Sequence, residues 1–228
     1  MKKLLLVVAA ASCAALATAR PAASAAQYSR HFTPIGHPLR AEGRPRPDLR
    51  FARTVWQPVT QAAPFGNNGA GTALLMTDGT VMVHDNESSW YKLTPDDTGS
   101  YIAGTWSKAA SLPSGYGPLY YSSAVLPDGR LIINGGEYNF FKNVETNLGA
   151  IYDPIANTWK SVAPPAGWNN IGDAADTVLS NGTLMLGNCC SSVQALLDAQ
   201  TLKWTSTGAG KADPNAEEGW TLLPTETC

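Results

Sequence analysis

The sequence predicts an all-β fold, a β-propeller built from four-stranded blades of ~50 residues, and three observations predict it. An apolar strand, a tight turn and a second apolar strand recur three times, as ALLMTDGTVMVH, SAVLPDGRLIING and DTVLSNGTLMLGN. The turn pairs Asp78-Gly79, Asp128-Gly129 and Asn181-Gly182 are spaced 50 and 53 residues apart. A second motif closes units two and three, with an aspartate six residues before a tryptophan, Asp153 to Trp159 and Asp198 to Trp204.

Each element follows from local chemistry. Asp-Gly and Asn-Gly supply the positive φ of a two-residue hairpin turn, so each pair joins the first strand of a unit to the second. The strands run almost unbroken in apolar residues because a blade is covered by a neighbour on each face. The third strand of a unit precedes the Asp-Pro turn or its equivalent, and the fourth begins at the tryptophan. In unit one these parts fall to YKLTP and GTW, with Pro95 eleven residues before Trp106 against five from Pro154 to Trp159. Six residues around DDTGSY are therefore inserted there. Helical periodicity of useful length is absent.

The 228 residues, 44% apolar and 15% charged, are enough for a buried core. A net charge of −2 without a run of like charges argues against nucleic acid or an anionic membrane as partner. Residues 1–25 carry Lys2 and Lys3, a short apolar run to Leu16, and the small-residue sites ATA and ASA. That layout predicts a signal peptide and export, to the periplasm or the medium; the run is too short for a membrane span. Residues 26–50, rich in Pro and Arg, read as an exposed lead segment, with His31 and His37 as solvated side chains. The blades occupy residues 51–228.

The Asp-Gly turns, the NGG at 134–136 and the Asp-to-Trp spacing make residues 51–228 resemble secreted kelch-repeat proteins, the propeller class to which galactose-oxidase-like enzymes also belong. The resemblance implies the blade architecture and is silent on activity, because these motifs build the blade. It would also imply, for a copper oxidase, a cysteine-linked tyrosine with further Tyr and His ligands. No residues of this chain match that set, so no cofactor is assigned. Near the end, TLLP at 221–224 starts a fourth unit, but TETC replaces its hairpin turn. Three blades and one strand fall short of the four that close a ring, so the expectation is a truncated propeller or one completed by self-association.

Unit two aligned on unit three places Cys189 and Cys190 on Gly135 and Gly136, where kelch units carry a glycine pair. In an exported chain the options are a vicinal disulfide that bends the backbone in the glycines' place, or pairing of one cysteine elsewhere, for example with Cys228. A metal site is disfavoured, since no histidine lies within twenty residues and zinc wants more ligands than two neighbouring thiolates.

Catalytic constellations are poor. His84 beside Asp85 reads as a satisfied histidine at a strand end, and no nucleophile motif accompanies it. The loops that lead into the first strand of each unit are richer, because in a propeller they emerge on one face near the axis. They hold Phe65 with Asn67 and Asn68, Tyr116 with Tyr120 and Tyr121, Trp168 with Asn169 and Asn170, and Trp220 with Glu217 and Glu218. Aromatic faces beside amides and carboxylates suit a sugar. Asp173 and Asp176 join Glu217 and Glu218 as an acidic mouth, open to a reading as a calcium site or as independent carboxylates. The expected role is an exported, non-catalytic module that binds a carbohydrate or a protein. A copper oxidase with its ligands elsewhere and a purely structural propeller are the competing classes.

Overall fold

Every four-stranded unit expected from the repeat is a meander of antiparallel strands in the computed structural model, which describes residues 57–222. The first blade consists of β1 (Ala73–Leu75), β2 (Val81–His84), β3 (Trp90–Thr94) and β4 (Thr105–Lys108), paired in that order. The second begins after the short strand β5 (Pro118–Leu119) with β6 (Ser122–Val125) and β7 (Leu131–Asn134). A small hairpin, β8 (Tyr138–Asn139) and β9 (Lys142–Asn143), pairs with β5, and the blade resumes with β10 (Gly149–Asp153) and β11 (Thr158–Val162). The third blade is β12 (Asp176–Val178), β13 (Leu184–Gly187), β14 (Gln194–Asp198) and β15 (Lys203–Gly208). Among the described residues no helix is long and apolar enough to cross a membrane.

The hairpin turns differ from the two-residue form expected. In the first, the Met76 amide bonds the Thr80 carbonyl and the Gly79 amide bonds the Met76 carbonyl, and the same pair of bonds recurs over Leu126–Arg130 and Leu179–Thr183. The loop is therefore three residues long, a type I turn followed by a glycine in the left-handed region. Only the glycines have positive φ, 80° at Gly79, 87° at Gly129 and 83° at Gly182. The Asp or Asn acts through its side chain instead, Oδ1 accepting the amide of Thr80, Arg130 or Thr183 two residues on.

The burial pattern explains the apolar runs. Ile132 lies in a cluster with Leu184 and Leu197 of the third blade, while Leu131 and Ile133 lie with Met82 and Trp90 of the first. Side chains alternate between faces along a strand, so Leu131, Ile132 and Ile133 of β7 are all apolar because both its faces meet a neighbouring blade. The strand that precedes each turn is less enclosed: β1, β6 and β12 are mostly half-buried or exposed, and Leu75 is 64% exposed. The second strand of each blade is mostly buried, and β7 is buried at every position.

The closing tryptophans stitch blade to blade. Trp159 Nε1 donates to the Ala110 carbonyl at 3.1 Å, and Trp204 Nε1 donates to the Ala163 carbonyl at 2.7 Å, each on the segment that follows the preceding blade. Trp106 Nε1 finds no partner among the described residues. Asp153 and Asp198 each accept two backbone amides into the turn before these tryptophans. The insertion in blade one closes on itself, with Asp96 Oδ1 accepting the amides of Thr98 and Ser100.

The signal-peptide and lead-segment expectations, with His31 and His37, lie outside the described residues, as does Cys228. Only two residues of the strand expected at 221–224 are described, and they make no strand pairing. The segment before them is held by a bridge between Ala174 and Ala216 and by the buried Asn215, whose backbone and side chain bond the 188–194 turn.

Candidate functional site

The first strands of the blades sit side by side, β6 next to both β1 and β12, so the segments entering them converge. At that end lies an open cleft of about 600 Å³. Blade two contributes Tyr120 and Tyr121 as the chain enters β6, then Ser122 and Ser123. Blade three contributes Asp173 and Asp176 as the chain enters β12, and the last described segment adds Glu217, Glu218 and Trp220. Glu137 completes the lining. It went unnoticed in the sequence, although its place directly after the Gly135-Gly136 pair marks it as the residue leaving β7.

Five carboxylates therefore face this cleft, from Glu137, Asp173, Asp176, Glu217 and Glu218, and no Lys or Arg is among the lining residues. Lys211 pairs with one of the five, Glu218, at 2.5 Å, and also with Asp213 at 2.6 Å. Asp176 is the costly member. Its Oδ2 is buried without a hydrogen-bond partner, and burial pushes its carboxyl up to about 7, with the Ser122 hydroxyl pulling weakly the other way. An unpaired buried carboxylate oxygen is a liability to the fold.

Aromatic surface lies beside the acids. Tyr120 is 66% exposed and packs edge-on against Tyr138 at 5.9 Å. Trp220 is half-buried, its Nε1 donating to Glu218 Oε2 at 3.0 Å. Tyr120 and Glu217 hold φ of 51° and 55°, in the left-handed region that non-glycine residues occupy only at a cost of order 1 kcal/mol.

Tyr121 is tied into the interior at the cleft's floor. Its hydroxyl donates to His84 Nδ1 at 3.0 Å, and His84 Nε2 donates to the Glu87 carbonyl at 2.9 Å. His84 is fully buried, stacked on Trp90 at 4.9 Å, and burial holds its imidazole below the ordinary value despite the Glu87 carbonyl and Asp85. It is the satisfied strand-end histidine expected. It is also the one histidine among the described residues, and both its nitrogens are engaged. These residues therefore do not fit a copper centre of the histidine and tyrosine kind.

Several residues expected in the mouth are elsewhere. Tyr116 is 2% exposed, its hydroxyl donating to the Gly135 carbonyl at 2.8 Å, so it packs between blades one and two and meets no ligand. Phe65 lies edge-on to Tyr91 and Trp106, at 5.5 and 5.3 Å, and covers the outer strands of blade one. Asn67 and Asn68 occupy an exposed turn, where the Asn68 carbonyl accepts the Asn86 amide. Trp168 packs on Ile171, Leu186 and Cys189, Asn169 is exposed outside the cleft, and Asn170 accepts the Asn188 amide. A shared composition of Pro, Gly and aromatics thus served two ends, since some of these loops fill gaps between blades and only some reach the axis.

Cys189 and Cys190 form a vicinal disulfide. Neither has positive φ, whereas Gly135 and Gly136 sit at 77° and 131°. The cysteine pair turns the chain differently from the glycines it replaces, in a turn closed by the Ser191 amide on the Asn188 carbonyl and by the Cys190 amide on Asn188 Oδ1. The Glu145 carboxylate lies 3.6 Å from Cys189 Sγ and is pushed up by burial and by the charges of Asp173 and Glu137.

No protein-family model and no curated protein sequence matches this chain. Solved structures with some likeness include a fungal alcohol oxidase of the AA5 family in complex with copper, at 22% identity and a TM-score of 0.48, over 64% of this chain and 31% of that one. Virginiamycin B lyase from Staphylococcus aureus is 12% identical at 0.45, over 63% and 42%. The protein YjhT is 18% identical at 0.47, over 68% and 54%. The chain thus spans about a third to a half of their lengths. Likenesses this slight say nothing about activity.

Proposed function

We propose that this propeller is an exported, non-catalytic binding module that takes a carbohydrate at the acidic, aromatic cleft. The observation that carries the reading is the convergence of Tyr120, Tyr121 and Trp220 with five carboxylates at one end of the blade axis. A sugar presents C–H patches that stack on aromatic faces and hydroxyls that donate to carboxylates, and the cleft offers both. The absence of any lining Lys or Arg favours saccharides that are neutral or carry an amine over acidic ones. The layout of residues 1–25 supports export to the periplasm or the medium.

Calorimetric titration with a neutral oligosaccharide, an amine-bearing glucosamine oligomer and an acidic uronate oligomer tests this. The expected result is binding of the first two, none of the third, and loss of binding in Tyr120→Ala with an unchanged unfolding midpoint. Failure of all three saccharides to bind, or equal binding by Tyr120→Ala, overturns the proposal.

A further inference from the structure

We infer that the Cys189–Cys190 pair is a redox-gated metal site, which on reduction binds a thiophilic divalent cation such as Zn²⁺ together with Glu145. Ligand count argues against a metal in the sequence alone, because two adjacent thiolates leave zinc short of partners. The fold supplies the missing one from 44 residues upstream. The ligand atoms of Glu145, Cys189 and Cys190 all lie within 4.8 Å of one another. This site is independent of the carbohydrate reading.

The Cys189–Glu145 separation already fits a tetrahedral cation, and reduction frees Cys190 Sγ to part from Cys189 Sγ and join them. With Zn–S bonds of about 2.3 Å and Zn–O bonds of about 2.1 Å, a thiolate and a carboxylate oxygen on one zinc stand about 3.6 Å apart. Cys189 Sγ and Glu145 Oε2 stand 3.6 Å apart. A disulfide sulfur carries no hydrogen to donate, so this approach is not a hydrogen bond, and in the oxidised chain it satisfies neither group. The approach is built by the neighbouring backbone. A Cβ at Gly172 would run into Glu145 Oε2 and stand 2.5 Å from Cys189 Sγ, and Gly172 holds φ of 63°. The Cys189 amide bonds the Ile171 carbonyl at 3.0 Å, which anchors the sulfur-bearing turn to the same segment.

Burial is graded in a way that permits the chemistry. Cys189 is 1% exposed, Glu145 is half-buried, and Cys190 is exposed, so a reductant reaches the bond through Cys190. A dithiol reductant attacks Cys190 Sγ, gives two electrons and two protons to the bond, and leaves as its own disulfide. The cation then displaces the two thiol protons to solvent and takes both thiolates with the Glu145 carboxylate. Three protein ligands leave the fourth tetrahedral position open. Exchange with a small-molecule disulfide takes the two electrons back, re-forms the Cys189–Cys190 bond and leaves that disulfide as two thiols, so the cation loses two of its three ligands and is released.

The test is a Cd²⁺ titration of the protein, followed by the ultraviolet sulfur-to-metal charge-transfer band. The oxidised protein, taken without residues 1–25, gives the background from Cys228. The expected result is one further Cd²⁺ per chain after reduction by a dithiol, with affinity at least about tenfold lower in Glu145→Gln. Cys190→Ser, a change at an exposed position, is expected to lose that added equivalent while the far-ultraviolet circular dichroism stays that of the parent. No added equivalent on reduction, undiminished affinity in Glu145→Gln, or retention of the equivalent in Cys190→Ser overturns the assignment.

Discussion

Replacing Asp176 by asparagine keeps the shape of the side chain and removes the one cleft carboxyl whose oxygen is buried and unpartnered. Burial raises this group from 3.8 to about 7 in the folded protein. The native state therefore holds the proton more tightly than the unfolded chain, and folding loses stability as pH rises through that window. At 1.36 kcal/mol per unit the full cost is on the order of 4 kcal/mol, absent below about pH 4 and complete above about pH 7. The groups facing Asp176 across the cleft, Glu137, Asp173, Glu217 and Glu218, are all acidic, so none offsets that cost. Asp176→Asn is expected to unfold at higher urea than the parent at pH 8, by an amount equivalent to several kcal/mol, and at nearly the same urea at pH 4. Urea titrations at pH 4, 6 and 8 measure the difference between the two proteins, which cancels the contributions of His84 and Glu145. An equal offset at all three pH values, or a variant weaker than the parent at pH 8, refutes the reasoning. If Asp176 is kept for a ligand, the stabilised variant also binds saccharide more weakly.

Two further substitutions test the blade packing. Ile132 is fully buried against Leu184 and Leu197 of the next blade, so Ile132→Ala is expected to cost about 2–5 kcal/mol, read as a lower urea midpoint. Gly135→Ala is expected to lower the melting temperature more than Gly115→Ala. Both glycines have left-handed φ, 77° and 85°, but a Cβ at Gly135 meets the Gly172 carbonyl and the Ile171 side chain, while one at Gly115 meets nothing within 4 Å. Equal shifts in a thermal melt of the two variants overturn the account of Gly135 as a point of close approach between blades.

The blades were legible in the sequence because the signals that build them are local. Asp78, Asp128 and Asn181 each hold a three-residue turn by a bond to the backbone amide two residues on, and a glycine in the left-handed region follows each of them. The loop length was not legible, since Asp-Gly serves a turn with two positive φ angles and a turn with one, and only the register of the flanking strands decides between them. Which strand is buried was hidden for a similar reason. ALL at β1 and LII at the start of β7 are both apolar, yet Leu75 is exposed and Ile133 is not, because enclosure depends on what a neighbouring blade covers.

The candidate site was legible in part, and the division follows the range of the interactions. Tyr120, Tyr121, Asp173, Asp176, Glu217, Glu218 and Trp220 are within a few residues of a strand start or of its repeat equivalent, so the repeat carries them to the cleft. Tyr116 shares the loop of Tyr120 and its chemistry, and it turns inward because the Gly135 carbonyl, just past the end of β7, accepts its hydroxyl. No local pattern distinguishes it from Tyr120. The approach of Glu145 to Cys189 is the extreme case. It joins a loop of blade two to a turn of blade three through Gly172, and while the cysteine pair stands out in the chain, Glu145 and Gly172 have unremarkable neighbourhoods. Ligand-set arguments made within a window of sequence therefore undercount in a propeller, where adjacent blades place residues some fifty positions apart against one another.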